Sequence, residues 1–218
     1  QKRMSNATQS LASTRITSLL DANSFVEIGK SVTARSTDFN MTEKKAPSDG
    51  VITGYGVIDG NLVYVYSQDA SVLNGTVGEM HAKKISALYD LAIKTGAPVI
   101  GLVDCAGMRL QEATDALEAF GGIYFKQTMA SGMIPQITAV FGTCGGGMAV
   151  VPALTDFTFI EAKKGKMFVN SPNALDGNYT EKCDTASAAF QSEETGLIDA
   201  VESEEEILAE IRQLVSFL

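Results

Sequence analysis

The stretch QITAVFGTCGGGMAVVPALTD, residues Gln136–Asp156, decides the fold of the chain around it. Its apolar run Ile137–Phe141 predicts a buried strand that ends at Gly142. Three consecutive glycines, Gly145–Gly147, then precede small apolar residues, which predicts the start of a buried helix. The first N–H groups of a helix lack partners within it, and glycine places no Cβ in front of them. The stretch therefore predicts a site for an anion or a developing oxyanion, or else a turn that merely permits tight packing.

Strands and helices alternate on both sides of this stretch. Two β-rich runs, Val51–Ile58 and Leu62–Ser67, flank Asp59-Gly60-Asn61, which predicts a hairpin. Other strands are expected at Ser24–Ile28, Val99–Val103, Phe157–Glu161, Met167–Val169 and Leu197–Val201. Helices are expected at Ala7–Leu20, Val77–Lys94, Gln111–Met129, Thr180–Phe190 and Ser203–Leu218. The alternation predicts one α/β domain with a largely parallel core, from which the polar segment Thr37–Ser48 departs as a mobile excursion.

Composition limits the classes of function. The 218 residues are 45% apolar, which suffices for one real core, and the net charge of −9 disfavours nucleic acid as a partner. No apolar run is long enough to span a bilayer, so we expect no stable membrane insertion and a cytoplasmic protein. Three cysteines without metal-ligand spacing favour a reducing compartment and no bound metal. Basic groups available to an anionic ligand are Lys44/Lys45, Lys83/Lys84, Arg109 and Lys163/Lys164/Lys166.

Common catalytic motifs are missing or incomplete. Gly165-Lys166-Met167 fails the last position of a phosphate loop, no dinucleotide fingerprint is complete, and no Gly-x-Ser-x-Gly elbow occurs. Cys144 could be a nucleophile, but nothing links it to the single histidine, His81, so both are expected to be packing or surface residues. Glu112 is the most plausible acid or base, with a charge at a helix N-terminus as its simpler role. Chemistry by backbone donors and a cofactor is therefore favoured.

Four stretches resemble the N-terminal domain of the biotin-dependent acyl-CoA carboxyltransferase family. They are Tyr66-Ser67-Gln68-Asp69, the segment DCAGMRLQE at 104–112, the segment ASGMIPQ at 130–136, and 142–157 with its glycine run. The family patterns are FSQD, DSGGARIQE, ASGVIPQ and GPCAGGAVYSPALTDF. Because the likeness covers nearly the whole chain in order, it implies that residues 1–218 form one carboxyltransferase N-terminal-type domain. The implied fold is crotonase-like, a spiral of β-β-α units within the α/β class.

The resemblance implies a chemistry for the glycine turn. Members of the family hold the thioester oxygen of an acyl-CoA as an enolate, while CO2 moves between its α-carbon and biotin. By this likeness the N–H groups of Gly146 and Gly147 build one oxyanion hole, and Gly107 and Met108 supply or shape its opposing side. Substrate contacts are implied at Asp69, Ala70 and Ser71, which would flank the CoA nucleotide, and at Cys144 and Gly145.

Departures from the family pattern affect the acyl pocket and the partners. Cys105-Ala106-Gly107-Met108 replaces Ser-Gly-Gly-Ala, so a bulky Met108 is expected beside the acyl group. The family also needs a second domain of the same fold for the biotin side, so this chain is either a fragment or one of two subunits. Implied partners are an acyl-CoA, a biotin carboxyl carrier protein and a second carboxyltransferase domain or subunit in an oligomer. Two alternatives remain open: a crotonase-like enoyl-CoA hydratase or isomerase, and a non-catalytic scaffold subunit.

Overall fold

The computed structural model describes residues 10–35, 38–43, 46–171, 174 and 184–218. Its strands are β1 Val26–Ile28, β2 Val51–Ile58, β3 Asn61–Gln68, β4 Val99–Cys105, β5 Gln136–Gly145, β6 Phe157–Glu161, β7 Lys166–Phe168 and β8 Ala200–Glu202. Its α-helices are α1 Leu11–Leu19, α2 Glu79–Thr95, α3 Ala113–Ala130, α4 Val150–Ala153, α5 Ala188–Thr195 and α6 Glu204–Phe217. Within this part of the chain, no helix has the length and apolar character needed to cross a membrane.

The strands form one eight-stranded sheet in the order β1-β2-β3-β4-β5-β6-β8, and β7 pairs with the end of β5. The first three strands are antiparallel, and every pairing from β3 onward is parallel. Asp59 and Gly60 connect β2 to β3 with φ angles of 49° and 88°, which is the combination that a two-residue type I′ hairpin requires. The predicted hairpin and the predicted parallel core are both confirmed.

Helices cover both faces of the sheet. On one face α2 and α3 bury Ile85, Leu88, Phe120 and Ile123 with alternate residues of the central strands, such as Val103. On the other face α1 and α6 bury Ile16, Leu19, Ile207 and Ile211 against Ile100, Leu102 and Phe141. Since successive strand residues point to opposite faces, a central strand covered on both faces must be apolar throughout. The burial of β4 follows this rule and confirms the α/β layering.

One strand near the site, β5, is longer than predicted. The sequence predicts a strand over Ile137–Phe141, but β5 continues to Gly145, because Thr143, Cys144 and Gly145 pair with β7. This extension is polar and glycine-rich, so its composition does not indicate a strand.

The final helix is confirmed, with the predicted capping box between Ser203 and Glu206.

Two helices begin at least four residues later than the sequence predicts. A helix is expected from Ala7, but α1 begins after its N-cap Ser10, and residues 7–9 lie outside the described part. Another is expected from Thr180, but α5 begins after its N-cap Ser187, and residues 180–183 are likewise outside it. The expected last strand is displaced from 197–201 to β8. In both helices a serine hydroxyl accepts a backbone N–H and fixes the start.

The expected excursion at Thr37–Ser48 is wrong at its end. Ala46 is only 6% exposed, and a 3-10 helix at Pro47–Gly50 turns the chain into β2. Asp49, directly after the expected excursion, is fully buried. This end of the segment is therefore packed into the molecule rather than lying over it.

Candidate functional site

The glycine turn lies where β5 ends. Gly145 is the N-cap of a 3-10 helix at Gly146–Ala149, and α4 follows directly. Gly146 has a φ of 60°, a left-handed conformation that disfavours any residue with a Cβ. The expected buried helix is thus only one 3-10 turn and one α turn, so its dipole is smaller than the sequence suggests. The first N–H groups of a 3-10 helix still have no acceptor within that helix, and they belong to Gly146 and Gly147.

The turn that follows β4 lies against this glycine turn. A Cβ built on Gly107 would be 3.1 Å from the carbonyl oxygen of Gly145, and one built on Gly146 would be 3.9 Å from the Gly107 Cα. The contact arises because Cys105 and Cys144 are aligned partners at the ends of two neighbouring parallel strands. The structure therefore brings together both segments that the resemblance assigns to the oxyanion hole.

The amide of Gly107 already has a partner. Its N–H donates to the Sγ of Cys105 at 3.3 Å, so Gly107 shapes the wall of the site rather than offering a free donor. The following residue, Met108, is half-buried and forms an isolated bridge with Val77. Of the two roles that the resemblance leaves open for this turn, the geometry favours shaping.

Tyr124 closes a third side of the glycine turn. Its hydroxyl donates to the carbonyl oxygen of Gly147 at 2.5 Å, and its ring lies 5.9 Å from that of Phe120. A Cβ on Gly147 would come within 2.9 Å of the same hydroxyl. Burial raises the pKa of Tyr124, which keeps this donor protonated at neutral pH. Tyr124 is not predicted from the sequence, because the aromatic pair Phe120 and Tyr124 at i,i+4 on α3 does not indicate which turn it contacts.

The two thiols beside the turns are structural. Cys105 and Cys144 are both fully buried, and the Sγ of Cys144 contacts the carbonyl oxygen of Met148 at 3.3 Å. Burial raises the pKa of Cys105 to about 12 and that of Cys144 well above its usual range. His81 hydrogen-bonds to Gln68 and to the Asp49 carbonyl oxygen, not to either thiol. Packing is therefore the better interpretation of Cys144 and His81, and a side-chain contact of Cys144 with substrate is disfavoured.

The loop expected to flank CoA lines a separate cavity. Asp69, Ala70 and Ser71 follow the carboxyl end of β3 and border a space of about 300 Å³, together with Arg15 and Asp104. The Asp69 carboxylate accepts hydrogen bonds from the Ser71 N–H at 3.0 Å and the Ser71 hydroxyl at 2.6 Å. These bonds fix the loop as an Asx turn. The cavity opens at the same edge of the sheet as the two turns, since β3, β4 and β5 are parallel.

Arg109 and Glu112 do not face this edge as free groups. Arg109 is 1% exposed, and its Nη1 donates to Asp49 and, at 2.8 Å, to Glu112. The second oxygen of Glu112 accepts the N–H of Glu79 at 2.6 Å, at the start of α2. Glu112 therefore has the simpler of its two expected roles, that of a charge at a helix N-terminus. The helix that it stabilises is α2 rather than its own helix, α3. The expected roles of Arg109 as a ligand-binding cation and of Glu112 as an acid or base do not fit these contacts.

Comparison with known proteins decides the family. The sequence model of the carboxyl transferase domain matches residues 5–218. The chain belongs to the carboxyl transferase family. It is 43% identical over 208 residues to the propionyl-CoA carboxylase beta chain of Roseobacter denitrificans, covering 94% of this chain and 41% of that protein. It is also 43% identical over 208 residues to the methylmalonyl-CoA decarboxylase subunit alpha of Veillonella parvula, with the same two coverages.

Solved carboxyl transferase structures share the fold. The transcarboxylase 12S hexamer, crystallised with methylmalonyl-coenzyme A and methylmalonic acid, superposes with a TM-score of 0.89 at 34% identity. The match covers 95% of this chain and 41% of that chain. The expected family and crotonase-like α/β fold are thus confirmed. Because the chain spans about 41% of the length of these relatives, it corresponds to less than half of a complete relative.

Within this carboxyl transferase fold, the predicted site residues fall into two groups. The first group lies where β4 and β5 end and consists of Gly107, Met108, the backbone of Cys144, and Gly145–Gly147. Asp69–Ser71 lie beside them along the same edge, at the cavity that follows β3. Their roles in binding and catalysis remain predictions.

Proposed function

We propose that this chain is the acyl-CoA half of a biotin-dependent carboxyltransferase or decarboxylase. One observation carries the proposal: in a member of the carboxyl transferase family, the Gly107 turn packs directly against the Gly145–Gly147 turn. Both turns follow the carboxyl ends of parallel strands, where open α/β sheets place their ligands. The acyl thioester would lie across this contact, with the CoA nucleotide toward Asp69–Ser71.

The proposed chemistry needs backbone donors more than side chains. When the α-carbon of the acyl group loses its proton or its carboxylate, electrons move onto the thioester oxygen. The N–H groups of Gly146 and Gly147 would stabilise that charge, and one fixed N–H donor contributes about 10²-fold or more to such a rate. Gly107 and Met108 would form the opposing wall. The hydroxyl of Tyr124, which donates to the Gly147 carbonyl oxygen, would hold the Gly147–Met148 peptide in place and thereby restrict the Gly147 donor that precedes it.

A short acyl group is the substrate class that we propose. The two relatives at 43% identity are named for propionyl-CoA and methylmalonyl-CoA, and the crystallised neighbour holds methylmalonyl-CoA. Met108 is half-buried at the wall of the site and would limit the length of the acyl chain. A cytoplasmic location is consistent with CoA thioesters as substrates.

Biotin and its carrier belong to the other half of the proposed assembly. Bound biotin would supply or accept the carboxyl group, and we assign none of the described residues of this chain to it. The second domain or subunit would hold biotin, and the biotin carboxyl carrier protein would deliver it. The complete enzyme would therefore be an oligomer that places two such domains face to face.

The hydratase alternative lacks its catalytic group among the described residues of the turn region. Addition of water to an enoyl-CoA needs a carboxylate that faces the acyl group. The carboxylates closest to the Gly107 turn in sequence are Asp104 and Glu112. Asp104 accepts hydrogen bonds from the Thr143 N–H and from Arg15, and Arg109 and the Glu79 N–H occupy both oxygens of Glu112. The scaffold alternative is less favoured because Gly146 and Gly147 are only partly buried and their N–H groups have no acceptor within the 3-10 helix.

Substrate tests separate these functions. The protein, together with a second carboxyltransferase domain or subunit, would be incubated with propionyl-CoA and a biotin carrier that a biotin carboxylase loads from ATP and labelled bicarbonate. In the opposite direction it would be incubated with methylmalonyl-CoA and unloaded carrier, which accepts the carboxyl group. We expect carbon to move to or from the α-position only when both acyl-CoA and biotin carrier are present. Hydration of crotonyl-CoA without carboxyl transfer would refute the proposal in favour of the hydratase, and absence of calorimetric acyl-CoA binding would favour the scaffold.

A further inference from the structure

A buried guanidinium joins the Gly107 turn to two other segments. Besides its bonds to Asp49 and Glu112, Arg109 donates from Nη2 to the carbonyl oxygen of Thr76 at 2.8 Å. All three carbonyl or carboxylate partners belong to different parts of the chain, and Asp49 lies 60 residues from Arg109 in sequence. The planar fork of arginine can make these bonds together, whereas a lysine ammonium cannot.

The segment 74–77 holds the turn by main-chain bonds on both sides of Gly107. The Ala106 N–H donates to the Asn74 carbonyl oxygen at 3.1 Å, and the Val77 N–H donates to the Gly107 carbonyl oxygen at 2.9 Å. The Arg109 N–H then donates to the Val77 carbonyl oxygen at 2.9 Å. The position of Gly107 is thus set by segment 74–77, and the Arg109 side chain fixes that segment through Thr76.

Asp49 anchors the guanidinium in turn. Its carboxylate accepts the His81 N–H at 2.7 Å as well as Arg109, and it sits in a left-handed turn with a φ of 50°. Lys84 holds the same turn by donating to the carbonyl oxygens of Ser48, at 2.9 Å, and Val51. Backbone in this conformation persists only where its surroundings determine it strongly.

The cluster balances its charges without solvent. Two carboxylates, Asp49 and Glu112, pair with the Arg109 guanidinium, and the Lys84 ammonium donates to the carbonyl oxygens of the Asp49 turn. None of these four residues is more than 7% exposed. Burial lowers the pKa of His81 to about 3, so the ring adds no charge. Buried ion pairs are often no more stabilising than apolar residues of the same volume, and some of them specify one arrangement of the chain. What this cluster specifies is the place of the Gly107 turn.

We propose that Arg109, held by Asp49 and Glu112, is a positioning residue for carboxyl transfer. It fixes the Gly107 turn against the Gly145–Gly147 turn and does not touch the substrate. The inference rests on the proposed function, because it concerns the geometry of that same site. Preorganised donors lose their effect when misplaced, and a displacement of about 1 Å can cost about 10²-fold in rate.

The test is Arg109→Lys in the full-length protein, with Arg212→Lys as the matched control. Arg212 has the same kind of partners: the carboxylates of Asp21 and Asp59 at 2.8 and 2.7 Å and the Leu19 carbonyl oxygen at 2.8 Å. Asp59 precedes β3, so this second cluster lies at the opposite edge of the sheet from Gly107. We expect kcat for carboxyl transfer to fall about 10- to 100-fold in Arg109→Lys, with KM for acyl-CoA within about threefold, and no change in Arg212→Lys.

Hydrogen exchange provides a readout that does not depend on activity. In Arg109→Lys the amides of 74–77 and 104–109 should exchange faster, while those of β5 at 136–141 stay protected. Wild-type kcat in folded Arg109→Lys, or unchanged exchange at the turn, would overturn the positioning role. If wild-type protein shows no carboxyl transfer, the proposed function fails and the exchange result alone decides the positioning role.

A second variant covers the case in which Arg109→Lys does not fold. Glu112→Gln keeps the shape of the side chain and removes one charge from the cluster. It should show the same fall in kcat at nearly constant KM, with cooperative unfolding in urea. Loss of activity that only follows the unfolded fraction, or wild-type kcat, would refute the inference.

Discussion

Replacing Gly147 with alanine places a methyl group at the centre of the candidate site. The new Cβ would be 2.9 Å from the hydroxyl oxygen of Tyr124 and 3.3 Å from Cδ1 of Phe120. The contact with the Tyr124 hydroxyl is too short, so either this hydroxyl or the Gly147 backbone must move. This hydroxyl also donates to the Gly147 carbonyl oxygen. Gly147→Ala therefore disturbs the Gly147–Met148 peptide, and through the shared Gly147 Cα it displaces the neighbouring peptide that carries the proposed Gly147 N–H donor.

Gly147→Ala should lower both the free energy of unfolding and kcat. Overpacking of this kind costs about 1–3 kcal/mol, and loss of the tyrosine hydrogen bond adds about 0.5–1.5 kcal/mol. Misalignment of one oxyanion donor should lower kcat by about 10²-fold. Since Asp69–Ser71 line a separate cavity that Gly147 does not border, binding of CoA itself should change little.

The assay compares kcat and KM for carboxyl transfer with the free energy of unfolding in urea. Gly121→Ala is the matched control, because its Cβ would meet no atom within 4 Å and it lies within α3. That control should keep full activity and gain about 0.5–1 kcal/mol of stability. In Gly147→Ala, Tyr124→Phe should restore part of the lost stability by removing the hydroxyl. A folded Gly147→Ala protein with kcat within twofold of wild type would refute the oxyanion role.

Three further predictions concern the rest of the fold. The pKa of His81 falls from 6.5 in the unfolded chain to about 3 when folded, so protonation favours the unfolded chain below pH 6.5. The free energy of unfolding should therefore be constant above pH 6.5 and decline toward pH 3 by up to about 1.36 kcal/mol per pH unit. Urea titrations should show a shallower decline in His81→Gln. Cys105 and Cys144 should resist alkylation at pH 8 until urea unfolds the chain, as peptide mass spectrometry would show; labelling of the native protein would contradict their burial. Gly60→Ala should cost about 1–2 kcal/mol by urea unfolding through backbone strain alone, because its φ is 88° and no atom lies within 4 Å of the new Cβ; an unchanged midpoint would contradict the type I′ turn.

Elements with local signals could be predicted from the sequence. The hairpin at Asp59-Gly60 and the capping box at Ser203 each depend on residues within a few positions, and both are confirmed. The end of β5 could not be predicted, because Thr143–Gly145 become a strand only by pairing with β7. Its composition favours a loop, and only the partner strand makes it extended.

The candidate site also has residues that the sequence predicts and contacts that it does not predict. Gly145–Gly147 are visible in the sequence because glycine itself carries the conformational signal. The bond of Tyr124 to Gly147 and that of Arg109 to Asp49 join segments 23 and 60 residues apart, and one sequence gives no sign of such pairs. The polarity of the segment before β2 therefore predicts a position outside the core, although Asp49 at its end is buried and paired with Arg109.

The departures at Cys105 and Met108 are compatible with a site built from main chain. A side-chain catalyst cannot be replaced without losing its chemistry, whereas an N–H donor needs only its position. The buried Cys105 thiol helps to fix the position of the turn, because its Sγ accepts the Gly107 N–H at 3.3 Å. Serine at that position could accept the same hydrogen bond through its hydroxyl. If this is right, Cys105→Ser should retain kcat within about threefold, while Cys105→Ala leaves the Gly107 N–H without its acceptor and should lower kcat further than it lowers stability. Equal activity of the two variants would show that the turn does not depend on that bond.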